Sequence, residues 1–367
     1  MSFENYTFDA ADPARRHEWD MVDMDLSIAN ALRRTLLTDI PNVAFLGEEL
    51  PASPDAAVSI KIAHNTGPLH NEFIAHRIGM LALHFSAEEL DNFQEGTWRF
   101  ELDVSTGAAQ KKTVHASDFK IFHNDVELPK AAASRIFPAH PVTGETAIIT
   151  RLRENERLAL TAFPVKSTAR QHAGFSPVSL CTFSFVVDPE AAAGATNILD
   201  KERCYYKDKR GDPTRIHFSI ETESALTPKE LVDRAFGVVL DKLERALAAI
   251  QNPDDAYVTH RPAKDTRGRE FIFQNEDDTL GNLIQSLIYN ETLRKKQTTP
   301  FVTYVGYCCP HPLDPTMIVR LVAQETEEDD TEVTEDTYVN IFRSHMQRIQ
   351  AMVTGLRGAW DDFAPKA

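Results

Sequence analysis

Apolar residues recur along this chain at helical spacing in two long segments. Between Thr227-Pro228 and Ile250, the residues Val232, Phe236, Val239, Leu243, Ala246 and Ile250 are spaced 4-3-4-3-4. Near the C-terminus, Val339, Phe342, Met346, Ile349, Val353, Leu356, Trp360 and Phe363 are spaced 3-4-3-4-3-4-3. Each pattern draws a narrow apolar seam along a helix, as two helices packing along their length require. The rival explanation is an amphipathic helix lying on its own sheet. Two matching seams, each closing a matched half, favour helix pairing. Thr227 suits the N-cap and Pro228 the first helical position. Further helices are predicted over Ser27–Ile40, closed by Pro41, over Leu69–Leu83, and from Thr337 to about Gly358. Strand-like runs include Val43–Leu46, Val58–Ile62, Trp98–Val104, Ala147–Leu152, Leu158–Phe163, Cys181–Val187, Ile216–Ile220, Glu270–Phe273, Phe301–Tyr307 and Met317–Val322. Helices and strands mix without regular βαβ alternation, so the predicted fold class is α+β.

The pattern also repeats inside the chain. Asp25-Leu26-Ser27-Ile28-Ala29-Asn30-Ala31-Leu32 and Asp277-Asp278-Thr279-Leu280-Gly281-Asn282-Leu283-Ile284 superpose with a constant offset of 252. Each places acidic residues before a hydroxyl residue, Ser27 or Thr279, that is expected to cap a helix. An aliphatic residue, a tiny residue (Ala29 or Gly281) and an Asn follow. The tiny residue is expected to admit another backbone. Matched starts and matched seams predict a pseudo-two-fold assembly, in which the same face of each half is buried. Ile28, Ala29, Asn30, Leu32, Leu36, Phe236, Val239 and Leu243 would meet Leu280, Gly281, Asn282, Ile284, Phe342, Met346, Ile349 and Val353. Both partners lie on one chain, so high effective concentration favours an intramolecular pairing and no homodimer is expected.

At 367 residues the chain has room for two or three domains. The polar segment 251–269, broken by Pro253, Pro262 and Gly268, reads as the linker between halves. Glu325 to Asp336 carries eight acidic residues in twelve and reads as a solvated loop. The formal net charge of −16 makes stand-alone nucleic-acid binding unfavourable, so any role near DNA or RNA is expected to be indirect. Four irregularly spaced cysteines (Cys181, Cys204, Cys308, Cys309) form no disulfide framework and suggest a reducing, intracellular compartment. No apolar run is long enough to span a membrane, and the N-terminus lacks the pattern of a signal peptide.

Candidate chemistry is sparse. His64, His70 and His76 recur closely and could be read as ligands of a metal-dependent hydrolase. Their spacing does not present two ligands one helical turn apart, and structural or surface roles are favoured. Cys308 and Cys309 on a strand would face opposite ways. Asp277-Asp278 could ligate Mg²⁺, but before Thr279 they are more simply helix-start charges. No P-loop, GxSxG or dinucleotide fingerprint occurs. No cofactor and no catalytic residue are expected. At 100° per residue, Ile28, Leu32 and Leu36 form the core stripe, while Arg33, Arg34 and Leu37 fall on the opposite side. Two guanidiniums beside an apolar residue suit a partner that offers carboxylates and an apolar pocket.

Several motifs carry a family resemblance. Asn30-Ala31-Leu32-Arg33-Arg34-Thr35-Leu36-Leu37, with Asp39-Ile40-Pro41, resembles the signature of the alpha-type assembly subunits of multisubunit RNA polymerases. Leu69-His70-Asn71-Glu72-Phe73-Ile74-Ala75-His76-Arg77-Ile78-Gly79 and Gln171-His172-Ala173-Gly174-Phe175-Ser176-Pro177 are similar to landmarks of the third-largest subunit of RNA polymerase II. Glu276-Asp277-Asp278-Thr279-Leu280-Gly281-Asn282, Gly306-Tyr307 and Pro310-His311-Pro312-Leu313 resemble its smaller alpha-like partner. The fused arrangement resembles that of large DNA viruses, which would place the protein in host cytoplasm or nucleus and in the virion. The resemblance implies a dimerisation domain over 1–47 and 178–252, an inserted lobe over 48–177, a linker over 253–269 and a small alpha-like domain over 270–367. It implies a non-catalytic assembly platform that docks the second-largest and then the largest subunit, with small zinc-ribbon subunits on the lobe. Two departures stand out. The region from Glu88 to Pro177 holds no cysteine, so the zinc cluster of the polymerase II subunit is not expected. The chain ends soon after its last seam helix, so direct promoter contact of the bacterial kind is not expected either.

Overall fold

The computed structural model describes residues 1–8, 16–47, 59–252, 255–264, 267–294, 301–324 and 333–365. Two halves share one element order: strand, strand, helix, strand, strand, helix. In the first half, strands Ser2–Phe8, His17–Val22, Arg215–Thr222 and Val178–Phe185 form an antiparallel sheet in that spatial order. In the second, Val258–Pro262, Arg269–Gln274, Thr316–Gln324 and Phe301–Cys308 do the same. Numbered within each half, both sheets run 1-2-4-3. The helix after strand two is Leu26–Thr38 or Asp278–Tyr289, and the closing helix is Pro228–Gln251 or Glu335–Phe363.

The sheets explain why alternation was a weak guide at the N-terminus. Ser2–Phe8 buries only Phe3 fully, because it is an edge strand that needs only one covered face. Its neighbour His17–Val22 carries the buried run Trp19, Asp20 and Met21. Neither strand was expected from the sequence. The proposed linker 251–269 is corrected as well. It contains the strand Val258–Pro262, whose backbone pairs with Arg269–Gln274 of the same sheet, so only the stretch before Val258 connects the halves. The acidic run lies outside the described residues up to position 332, as does Val58 of one expected strand.

Between the first helix and strand three of the first half stands a separate lobe. Its five-stranded sheet has the order Ile60–Asn65, Arg157–Ala162, Trp98–Ser105, Lys120–His123, Val126–Glu127. Phe45, Phe100, Phe119 and Phe137 meet edge-on or stacked beneath it, with centroids 5.0–6.4 Å apart. The lobe's stem is Asn42–Ala44 paired with Val165–Ser167, so pairing that belongs to the lobe begins before residue 48. The expected helix over Leu69–Leu83 is shorter, Asn71–Gly79. Its last residue, Gly79, is wedged between backbones: a Cβ there would lie 2.9 Å from the Gly47 nitrogen, and one on Gly174 would lie 2.5 Å from the Gly79 oxygen. Gly79, which ends one landmark motif, and Gly174, inside another, therefore let three backbone segments touch.

Candidate functional site

The two halves meet first through their early helices. The expected N-caps, Ser27 and Thr279, are two residues too far in. Asp25 and Asp277 are the caps, each accepting a hydrogen bond from the backbone N–H two residues on at 2.8 Å. An anionic acceptor at a helix start gains from both the hydrogen bond and the dipole. The hydroxyl residues are buried behind them.

Leu26–Thr38 packs against Asp278–Tyr289 in opposite directions. Ser286 Oγ donates to Asp25 Oδ1 at 2.9 Å, and Asn290 also donates to the Asp25 carboxylate. At the other end, Arg34 Nε donates to Thr279 Oγ1 at 2.8 Å and Nη2 lies 3.4 Å from Asp277 Oδ2. Asp25 and Asp277 are equivalent under the 252 offset, and so are Arg34 and Ser286. One contact thus recurs with its partners exchanged, as an isologous interface demands. The chemistry is not symmetric, since an arginine stands at one corner and a serine at the other.

The arginine corner is an ion cluster. Asp39 follows the first helix, and its side chain is only 5% exposed. Arg170, on the chain's return from the lobe, donates to it through Nε at 2.5 Å and Nη2 at 3.0 Å, and Nη2 also lies 2.9 Å from Asp277. Lys242, from the long helix Pro228–Gln251, bridges Asp39 at 3.0 Å and Glu276 at 3.1 Å. The Tyr257 hydroxyl donates to Glu276 at 2.8 Å, and the Arg245 guanidinium lies 4.0 Å over its ring. First half, lobe stem and second half therefore share one set of charges. Burial alone would raise the Asp277 pKa. The Thr279 hydrogen bonds and the charges of Arg170 and Arg34 outweigh it and hold that carboxyl at about 2. Burial likewise opposes ionisation of Asp39, but Arg170 and Lys242 keep it below the usual carboxylate range. Lys242 resists its own burial because Glu276 and Asp39 hold its proton, and its pKa is raised.

The closing helices form the second contact. They run antiparallel: Arg357 makes a two-pronged bond to Asp233 at 2.6 and 2.8 Å, and Lys229 Nζ reaches Asp361 at 2.6 Å. Phe236, Val239, Leu243, Met346, Ile349 and Val353 are buried along them. The seam's ends have other duties. Phe342 stacks on Phe271 of its own sheet with centroids 3.9 Å apart. Trp360 crosses over and packs 5.1 Å from Phe3 and 4.9 Å from Trp19, in the first half's sheet.

The structure separates the remaining candidates. Ile28, Ala29, Leu32, Leu36, Leu280, Gly281 and Ile284 are buried, while Asn30 and Asn282 are half-buried. A Cβ on Gly281 would lie 2.5 Å from the Tyr307 ring, so the tiny residue admits a side chain of its own half rather than a foreign backbone. Arg34 corrects the expectation of an outward face, because it turns along the helix to the second half. Arg33 does not: its fork closes on Asn30 Oδ1 of its own helix at 2.9 and 3.1 Å. Leu37 is half-buried against the core. His64, His70 and His76 are exposed, and among the described residues no three His, Cys, Asp or Glu stand as a metal-holding group. Burial pushes the Cys181 thiol up to about 12, and burial with the Asp278 carboxylate pushes Cys309 to about 11, so neither is a poised nucleophile. Sequence reasoning missed Asp39, Arg170, Lys242, Glu276 and Tyr257. Lys242 offered the one available signal: a cation directly beside Leu243 on an apolar seam.

Comparison with known proteins accounts for the duplication. The RNA polymerase Rpb3/Rpb11 dimerisation domain matches residues 18–243, and a second domain model of the same description matches residues 269–357. The DNA-directed RNA polymerases I and III subunit RPAC1 of Saccharomyces cerevisiae is 23% identical over 290 residues, covering 63% of this chain and 83% of that protein. The RPAC1 of Homo sapiens is 25% identical over 189 residues, covering 47% of this chain and 51% of that protein, so the match spans about half of the human relative. The DNA-directed RNA polymerase II subunit RPB3 of Schizosaccharomyces pombe is 24% identical over 255 residues, covering 61% and 80%. With the first match alone covering more than half of its length, the chain belongs to the RNA polymerase Rpb3/Rpb11 dimerisation domain family.

Proposed function

We propose that this protein is a non-catalytic assembly subunit of a DNA-directed RNA polymerase, in which the two dimerisation modules of one chain pair with each other. The observation that carries this reading is the exchanged contact: Asp25 with Ser286, and Arg34 with Asp277, between the two family-matched segments. A chain that already satisfies its pairing face in this way has no need of a second copy. The relatives' printed names place them in RNA polymerases, which supports polymerase subunits as the partners here. On this reading the second-largest subunit docks on the first helix at Arg33, Leu37 and the solvent-facing edge of Arg34. The largest subunit follows, and small zinc-ribbon subunits take the lobe. DNA and RNA are met only through the assembled complex.

The test is a pull-down of the second-largest subunit of the source organism with wild type, Arg33→Ala and Arg33→Ala/Leu37→Ser variants, each with an unchanged melting temperature. Loss of capture in the folded variants supports the docking surface. Undiminished capture moves the surface elsewhere, and failure of the wild type to capture any large polymerase subunit removes the assembly reading.

A further inference from the structure

The lobe carries a cleft of about 370 Å³ that the pairing surface leaves unused. Pro68 and Leu152 give it an apolar lining, and Lys111, Lys112, Arg151 and Arg153 stand around it. It lies on the two-stranded ribbon in which Lys112 pairs with Leu152 and Thr113 with Arg151. All four cations are exposed. Lys112 has a carboxylate partner, Asp118 at 3.2 Å, whereas Lys111, Arg151 and Arg153 have none among the described residues. Glu156 lies close, but its carboxylate accepts the backbone N–H of Arg153 at 2.7 Å rather than the guanidinium. Elsewhere on the lobe, Arg157 forks onto Asp103, and Arg135 onto Glu89. Four cations line one cleft with a single ion pair among them, on a chain of net charge −16. A bound anion would give Lys111, Arg151 and Arg153 the counter-charge that they lack.

We infer that this cleft binds an extended acidic peptide segment of a partner protein. Arg151 lies in the strand Ile148–Leu152 and Arg153 directly after its end, two residues on, a spacing comparable to the period at which alternate side chains of an extended strand recur, about 6.6–6.8 Å. Acidic residues at every second position of a partner strand would meet both, since the guanidinium forks of Arg151 and Arg153 suit carboxylates. Nucleic acid fits less well. Among the described residues no aromatic side chain lines the cleft to stack a base, and the chain's overall negative charge opposes a long polyanion. A short peptide would feel mainly the local cations, because charge beyond roughly 8–10 Å is screened at ordinary salt. The inference stands apart from the pairing of the halves and does not depend on it.

The experiment uses the full chain and a fluorescein-labelled peptide of alternating Glu and Ser, followed by anisotropy. Binding to wild type is expected to weaken as salt rises and to fall about tenfold in Arg151→Ala/Arg153→Ala, the loss of two charge-assisted contacts. Arg151→Lys/Arg153→Lys should keep most of the affinity, which separates lost charge from a damaged fold. Lys120→Ala/Lys130→Ala removes the same charge elsewhere on the lobe and should change nothing. No peptide binding by wild type at low salt overturns the proposal, as does equal binding by the folded double Ala variant. An oligothymidine that binds at the same residues as tightly as the peptide also overturns it, since the cleft would then be a general polyanion patch.

Discussion

Arg34 and Arg33 are neighbours in one motif, yet they do different work. An angular projection at 100° per residue sets both away from the Ile28–Leu32–Leu36 stripe, and in that sense their position was legible. What it could not show is that a second helix would cross there, because the crossing partner lies 245 residues away in Thr279. The consequence is measurable. Arg34→Ala should weaken the fold by about 0.5–1 kcal/mol, a modest figure because its side chain is 35% exposed. Arg33→Ala should stay within about 0.5 kcal/mol. In a urea double-mutant cycle, Arg34→Ala with Asp277→Asn should show coupling, and Arg33→Ala with Asp277→Asn should not. The same carboxylate sets an acid limit. Its folded pKa of about 2 lies below the ordinary aspartate value of 3.8, so its stabilisation is complete above the unfolded value and is lost as pH falls from about 4 towards 2. Asp39 is depressed in the same direction and adds to that loss. Stability of wild type measured across this window should therefore fall more steeply than that of Asp277→Asn.

Among the elements, the two closing helices were the most legible part of the chain and the edge strands the least. A long stripe of apolar residues at heptad spacing states its own geometry, and the exposed face of an edge strand does not. The seam is nonetheless a mixture of helix pairing and sheet packing, because Phe342 and Trp360 at its ends pack on the sheets of different halves. Truncating its middle should be costly. Leu243→Ala and Ile349→Ala remove buried side chains and should each cost about 2–5 kcal/mol, whereas exposed Glu244→Ala should cost less than about 0.5. Thermal or urea unfolding that gives equal, small effects at all three would remove the packed seam. Gly281→Ala tests a different contact. A methyl there must displace the Tyr307 ring, so a loss of about 1–3 kcal/mol is expected, and Tyr307→Leu in the same chain should recover part of it.

In the whole molecule, the duplicated element order was visible through one short repeated motif and two seams, while the charges that join the halves were not. Asp39, Arg170, Lys242 and Glu276 come from four separated stretches, and no local pattern brings such residues together. Their arrangement argues that the halves stay joined without the peptide that links them. Two helix contacts, a crossing tryptophan and the ion cluster all span the halves, whereas the connection leaves the first half at Gln251 and enters the second half's sheet at Val258. A protease site inserted after Asn252 in the full chain, cut after folding, should leave both fragments eluting together at the mass of the uncut monomer. Raising the salt should loosen this assembly only slightly, because burial of the seam is not screened and the least exposed member of the cluster, Asp39, lies beneath two cations. Adding Arg170→Ala should make the nicked protein separate at lower urea than the nicked wild type, since Asp39 and Asp277 then share only Lys242 and Arg34. Fragments that part spontaneously after a clean cut, or an uncut chain whose light scattering reports a stable dimer, would show that each half finds its partner in another molecule.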